Sequence, residues 1–216
     1  MRIPRVLITV PVYHAVEPAP FWHFMGLAQV AGRDEERGLY KARYHVAGPK
    51  IKTVNARNMA TEVALESFAD FVLLVDDDMC VPPDLLTKLL AHDVDIVTPL
   101  FFRSTPPIAP LIFDLGSDGT PIPIFNYPDN SLFETPGGAG TGVMLIKTKV
   151  FRSMEYPWWR GSVDAEQGED TFFCKQARAR GFKTWCDSSV KVAQMGLNYP
   201  IGEPEYLASI DTNSVR

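Results

Sequence analysis

Three consecutive carboxylates, Asp76, Asp77 and Asp78, follow the apolar run Phe71 to Val75 with no polar residue between. Carboxylates packed that closely suit a hard divalent cation, because Mg2+ and Mn2+ prefer oxygen ligands. If the chain stays extended through them, side chains alternate. Asp76 and Asp78 then share one face, roughly 6 to 7 Å apart by strand rise, while Asp77 points elsewhere. Two bare carboxylates at that separation repel by about 2 to 3 kcal/mol at an effective dielectric of about 20. A cation carrying a diphosphate removes that repulsion, and a solvated acidic turn capping the next helix is the plain structural alternative. A second acidic pair, Glu169 and Asp170, opens a stretch of helix formers that runs to Gly181, where dipole compensation alone accounts for the acids. Arg57 and Asn58 fall in the first turn of another helix, where a cation is unfavourable. That placement points to pairing with the aspartates or a phosphate, against a plain surface arginine.

The elements that must position these groups alternate. Val6 to Tyr13 reads as a strand whose Pro11 sends the chain into a ligand-facing loop with His14 and Glu17. Phe21 to Ala31 has helical spacing with Gly32 as its stop, and Leu39 to Ala47 alternates as a second strand. Asn55 to Phe68 is a helix that delivers the chain into the acidic strand, whose five apolar residues indicate burial on both faces. A helix from Pro82 to His92 and a strand from Asp95 to Phe102 complete the order β-α-β-α-β-α-β. That order predicts a three-layer α/β/α fold with a mostly parallel sheet, and Asp76 to Asp78 at the carboxyl edge where such sheets bind ligands. Residues 103–140, rich in proline, glycine and aromatics, read as a loop-rich insertion beside the ligand, with a short strand inside Ile108 to Leu115. The glycine loop of residues 137–142, containing Gly140 and Thr141, leads into a strand to Ile146. It lacks both GxGxxG and the P-loop lysine, so its glycines are expected to let backbone approach a substrate. Trp158 and Trp159 are either a sugar platform or plain packing. Two short strands, Lys183 to Asp187 and Val190 to Ala193, precede a tail expected to be irregular from about residue 197.

The chain of 216 residues fits one domain, residues 1–216. Its net charge of −5, without a basic stripe, argues against a nucleic-acid surface. Three cysteines without a CxxC pair favour reduced thiols and a cytoplasmic setting. The amino-terminal apolar run is too short to be a transmembrane segment, so membrane contact is expected to be peripheral at most.

The chain resembles the GT-A glycosyltransferases, above all the family 2-like members. The resemblance is carried, in the family's order, by VLITVPVY, NARNMATEVAL, VLLVDDDMCVPPDLL, GGAGTGVMLI and GEDTFFCKQARARGFKTW, which together span about residues 5–196. It implies a metal-dependent inverting transfer of a sugar from a nucleoside-diphosphate sugar, a UDP-sugar by family frequency, to the hydroxyl of a glycan or other acceptor. Asp76 and Asp78 would be the DxD residues on Mn2+ or Mg2+, and Asp170 the catalytic base, with Glu169 the second choice. Pro11, Tyr13, Arg57, Asp76, Asp77, Gly140 and Thr141 would line the donor. Gln194 stands where the family often carries a metal-binding histidine, and its amide oxygen is the weaker ligand. Among rivals, a haloacid-dehalogenase-type phosphohydrolase needs threonine or valine where Cys80 stands. A nucleotidyltransferase would want a basic glycine-rich loop after the first strand. A binding module without turnover remains the non-enzymatic alternative, and Gln194 is what favours it.

Overall fold

The computed structural model describes residues 2–13, 15–161 and 168–213, with side chains to residue 210; His14 of the ligand-facing loop lies outside the described residues. In chain order the elements are β1 (Arg5–Pro11), α1 (Pro18–Glu36), β2 (Lys41–Ala47), α2 (Thr53–Glu66), β3 (Phe71–Val75), β4 (Met79–Cys80), α3 (Leu85–Ala91) and β5 (Ile96–Leu100). Then come β6 (Ile112–Leu115), β7 (Pro121–Pro123), β8 (Leu132–Glu134), β9 (Gly138–Ala139) and β10 (Val143–Lys147). The chain ends with α4 (Thr148–Arg152), α5 (Glu169–Ala179), β11 (Thr184–Lys191), β12 (Ala193–Met195), β13 (Pro200–Ile201) and α6 (Glu203–Asn213).

A seven-stranded sheet of order β2-β1-β3-β10-β5-β11-β8 forms the middle layer. β2, β1, β3, β5 and β11 share one direction, while β10 and β8 oppose it. Alternation along each strand feeds two cores. Leu7, Val72, Leu74, Met144 and Ile146 pack under α2, α4 and α5, where Ala60, Ala64, Phe151 and Phe173 are buried. Val6, Ile8, Leu73, Val75, Val143 and Leu145 pack under α1 and α3, against Leu27, Ala31, Leu85 and Leu89. Burial on both faces is why β3 reads as an unbroken apolar run. The expected three-layer architecture is therefore present, with both cores flanking the strand that leads to the acids.

Four expectations are corrected. α1 runs past Gly32 to Glu36, because the left-handed residue that ends it is Gly38 at φ +75°. Residues 103–140 contain the expected short strand, β6, but more order than expected: β6, β7 and β9 make a small sheet, and β8 joins the edge of the large one. The two closing strands are one, β11, with an irregularity between Asp187 and Lys191. The tail is also ordered, since β13 pairs with β12 and α6 buries Tyr206 in a stack on Phe102, with ring centroids 4.9 Å apart. Among the described residues no helix is long and apolar enough to cross a membrane.

Candidate active site

The strand ends at Val75, and the three aspartates lie in a turn instead of an extended segment. Asp76 N–H donates to Gly142 O at 2.8 Å, and Met79 N–H returns to Asp76 O at 3.1 Å. Strand alternation therefore does not set their directions, and each finds its own partner. Asp76 accepts from Arg57 Nη2 on both oxygens, at 2.9 and 3.2 Å. Asp77 Oδ2 accepts from the Tyr13 amide at 3.0 Å, which ties the end of β1 to the turn. Asp78 Oδ2 accepts from Gln194 Nε2 at 2.8 Å. Pairing of β12 with β4 sets Gln194 opposite Met79, and Met195 N–H donates to Asp78 O at 2.8 Å.

Arg57 joins this turn to the second acidic signal. Its Nη1 donates to Glu169 Oε1 and to Asp170 Oδ1, each at 2.8 Å. The side chain is 3% exposed, and the three carboxylates it holds are 23 to 31% exposed. The guanidinium carbon lies 5.6 Å from the ring centroid of Trp159, which stacks on Phe173 with centroids 4.3 Å apart. Asn58 clamps the Trp159 backbone from both sides, and Thr61 accepts from the indole N–H at 3.0 Å. This settles two sequence alternatives: Arg57 pairs with carboxylates, and Trp158 and Trp159 are packing residues. Trp159 itself, the floor beneath Arg57, was visible in the sequence only as half of a tryptophan pair.

The remaining expected contacts move inward. Thr141 is fully buried and donates its hydroxyl to Asp170 Oδ1. Gly140 is buried too, its amide donating to Leu111 O at 2.8 Å. The glycine loop approaches protein: at Gly138, φ +100°, an added Cβ would lie 2.5 Å from the Cys174 Cβ, and at Gly137 it would lie 2.2 Å from Asp114 O. Pro11 is half-buried and Tyr13 is exposed at the rim beside Asp77.

The turn and the start of α5 together present five carboxylates, Asp76, Asp77, Asp78, Glu169 and Asp170, of which Asp76, Glu169 and Asp170 share one guanidinium. Burial pushes Asp76 up to about 7 despite the pull of Arg57, with repulsion from Asp78 and Asp170 adding to it. Burial also raises Asp78, against the hydrogen bond from Gln194. Arg57 loses solvation, but Asp76, Asp170 and Glu169 outweigh that loss and hold it more firmly protonated. Such a site is short of positive charge. Among the described residues no three His, Cys, Asp or Glu side chains are grouped closely enough to hold a metal ion by themselves. Asp78 Oδ1, however, is buried without a hydrogen-bond partner, which is the state of an oxygen suited to a cation that takes further ligands from outside the chain. Gln194, expected beside Asp78 as a ligand, turns its amide nitrogen to that carboxylate and so supports it.

No family model and no curated protein matches the chain. Solved structures do match. A197 from STIV is 16% identical, with a TM-score of 0.56 over 88% of this chain and 85% of that one. UDP-glucose pyrophosphorylase complexed with UDP-glucose is 9% identical, with a TM-score of 0.51 over the full length of both. S. aureus TarS 1–349 is 14% identical, with a TM-score of 0.48 over 91% of this chain and 59% of that one. Likeness at such identities is likeness of fold: the chain has the mixed α/β architecture of the nucleotide-diphospho-sugar transferases.

Proposed function

We propose that the chain is a metal-dependent inverting glycosyltransferase that moves a sugar from a nucleoside-diphosphate sugar, with UDP favoured, to an acceptor hydroxyl. The observation that carries this is the meeting of Asp76 with Glu169 and Asp170 through the single buried Arg57, at the carboxyl edge of the sheet. Asp76 and Asp78 would hold Mn2+ or Mg2+, which when bound supplies positive charge for the departing diphosphate. Gln194 would keep Asp78 aimed by its hydrogen bond, and Tyr13, at the rim beside Asp77, would meet the nucleotide. Three buried free thiols fit a reducing, cytoplasmic setting.

Asp170 is the proposed base. Its Oδ1 is taken by Arg57 and Thr141, while Oδ2 accepts no hydrogen bond from the described residues. That oxygen would receive the acceptor's hydroxyl proton as the hydroxyl oxygen bonds to the anomeric carbon. The bond from that carbon to the diphosphate oxygen breaks on the opposite face, which inverts the configuration. Glu169, with Oε1 on the same Arg57 nitrogen, is the second choice.

The test is a panel of nucleoside-diphosphate sugars with Mn2+ or Mg2+, read by thermal shift and by slow donor hydrolysis. A donor should stabilise the wild type only with the cation present, and Asp78→Ala should abolish the shift. Equal donor and metal binding by Asp78→Ala would sink the assignment.

A further inference from the structure

At the opposite end of the sheet, roughly 20 Å from the aspartates by strand rise, a groove of about 440 Å3 opens between the carboxyl end of α2 and the starts of β1 and β2. Its volume falls within the range of small-molecule sites, about 300 to 1,000 Å3. The parallel register pairs Arg5 with Lys41 and Leu7 with Arg43, so alternation sets these four side chains on one sheet face. Val63 and Ser67, one turn apart, supply the wall from α2, and Leu7 and Ala69 add apolar floor. The lining therefore holds three cations and no carboxylate.

Those cations are loosely neutralised. Lys41 has no carboxylate partner among the described residues, and Arg43 reaches Glu35 only at 3.8 Å. Arg5 Nε stands 3.9 Å from Asp70, too far for a hydrogen bond, and this buried N–H is left with no acceptor. Asp70 and Glu35, the acids facing this cluster, are the partners of those two long ion pairs, and Asp70 is shared with Arg2 at 3.1 Å. A buried donor with no acceptor, beside two solvent-reaching cations and an apolar wall, matches a ligand with a multiply charged head and a nonpolar body.

We propose that this groove is a second binding site, separate from the acidic turn, for a small phosphorylated molecule with an apolar or aromatic body. Lys41 and Arg43 hold the phosphate, Arg5 Nε–H donates to it, and the body lies on Leu7, Val63 and Ala69. The site is independent of the proposed transferase activity.

Calorimetric titration of the whole chain with phenyl phosphate, without added metal, tests it. Saturable binding is expected, weakened tenfold or more in the double variant Lys41→Gln/Arg43→Gln, whose changed side chains are exposed, and retained in Asp78→Ala. Inorganic phosphate and the neutral phenyl β-glucoside should each bind more weakly than phenyl phosphate. No saturable binding, unchanged affinity in the double variant, or loss in Asp78→Ala would overturn the site. So would capture by phosphatidylglycerol vesicles without phenyl phosphate binding, since the cations would then belong to a membrane-facing surface.

Discussion

α5 and α2 both bring their amino-terminal turns to the acidic end of the sheet, and they treat charge in opposite ways. α5 begins with Glu169 and Asp170, which the helix dipole stabilises wherever the helix is placed. α2 has no acid in its first turn and buries Arg57 just beyond it, against that dipole. Neither helix start has a side-chain cap. α5 is thus locally self-consistent, whereas α2 becomes consistent only when the acids of α5 and Asp76 face it. A locally unfavourable charge that tertiary contacts satisfy is a stronger pointer to a site than a locally favourable one.

The largest effect expected falls on α5. Asp170→Asn should lower transfer by about 10² to 10⁴-fold, or roughly 3 to 5 kcal/mol of barrier, with donor binding nearly intact. A helix-start acid with only a capping duty would tolerate asparagine, so an unchanged rate breaks the distinction. A wild-type rate in Asp170→Asn together with inactive Glu169→Gln would shift the role by one residue.

Next comes α2. Arg57→Met removes the one cation among three carboxylates and should cost about 3 kcal/mol of stability, the low end for a broken buried pair because the carboxylates still reach solvent. Denaturant unfolding measures it, and a loss under about 0.5 kcal/mol would place Arg57 with ordinary surface ion pairs.

The docking of α5 is tested at Gly138. Alanine there meets Cys174 at a positive φ, so Gly138→Ala should cost about 2 to 4 kcal/mol. Gly119→Ala, also at positive φ but facing open space, should cost only about 1 kcal/mol. Equal costs would show that backbone conformation matters and the close approach of β9 to α5 does not.

A pH-dependent effect tests the same turn. Burial raises Asp76 to about 7 in the fold from an ordinary value of 3.8, so the folded state prefers its protonated form. Its contribution to stability is therefore full below about pH 4 and lost as pH rises through about 7. In metal-free protein, Asp76→Asn should flatten that decline between pH 5 and pH 8, as read by chemical denaturation. An unchanged slope would mean that Arg57 already neutralises Asp76 completely.

The sequence by itself determined the alternating elements as far as β5, both faces of β3 and the two acidic signals, because apolar periodicity and local charge act over a few residues. It also flagged Arg57 through the conflict between its charge and its helix position. The tertiary structure alone decided where the carboxylates point, because the turn after Val75 is closed by Gly142 and Met79, contacts that strand alternation does not contain. It alone buried Gly140 and Thr141, since Leu111 and Phe101 close over the one and Asp170 takes the hydroxyl of the other, residues distant from them along the chain. α6 escaped detection for a related reason: its short polar sequence has little periodicity, and Phe102, contributed from across the fold, is what holds Tyr206 in place. Local pattern chose the parts, and long-range packing chose which side chains face the cleft.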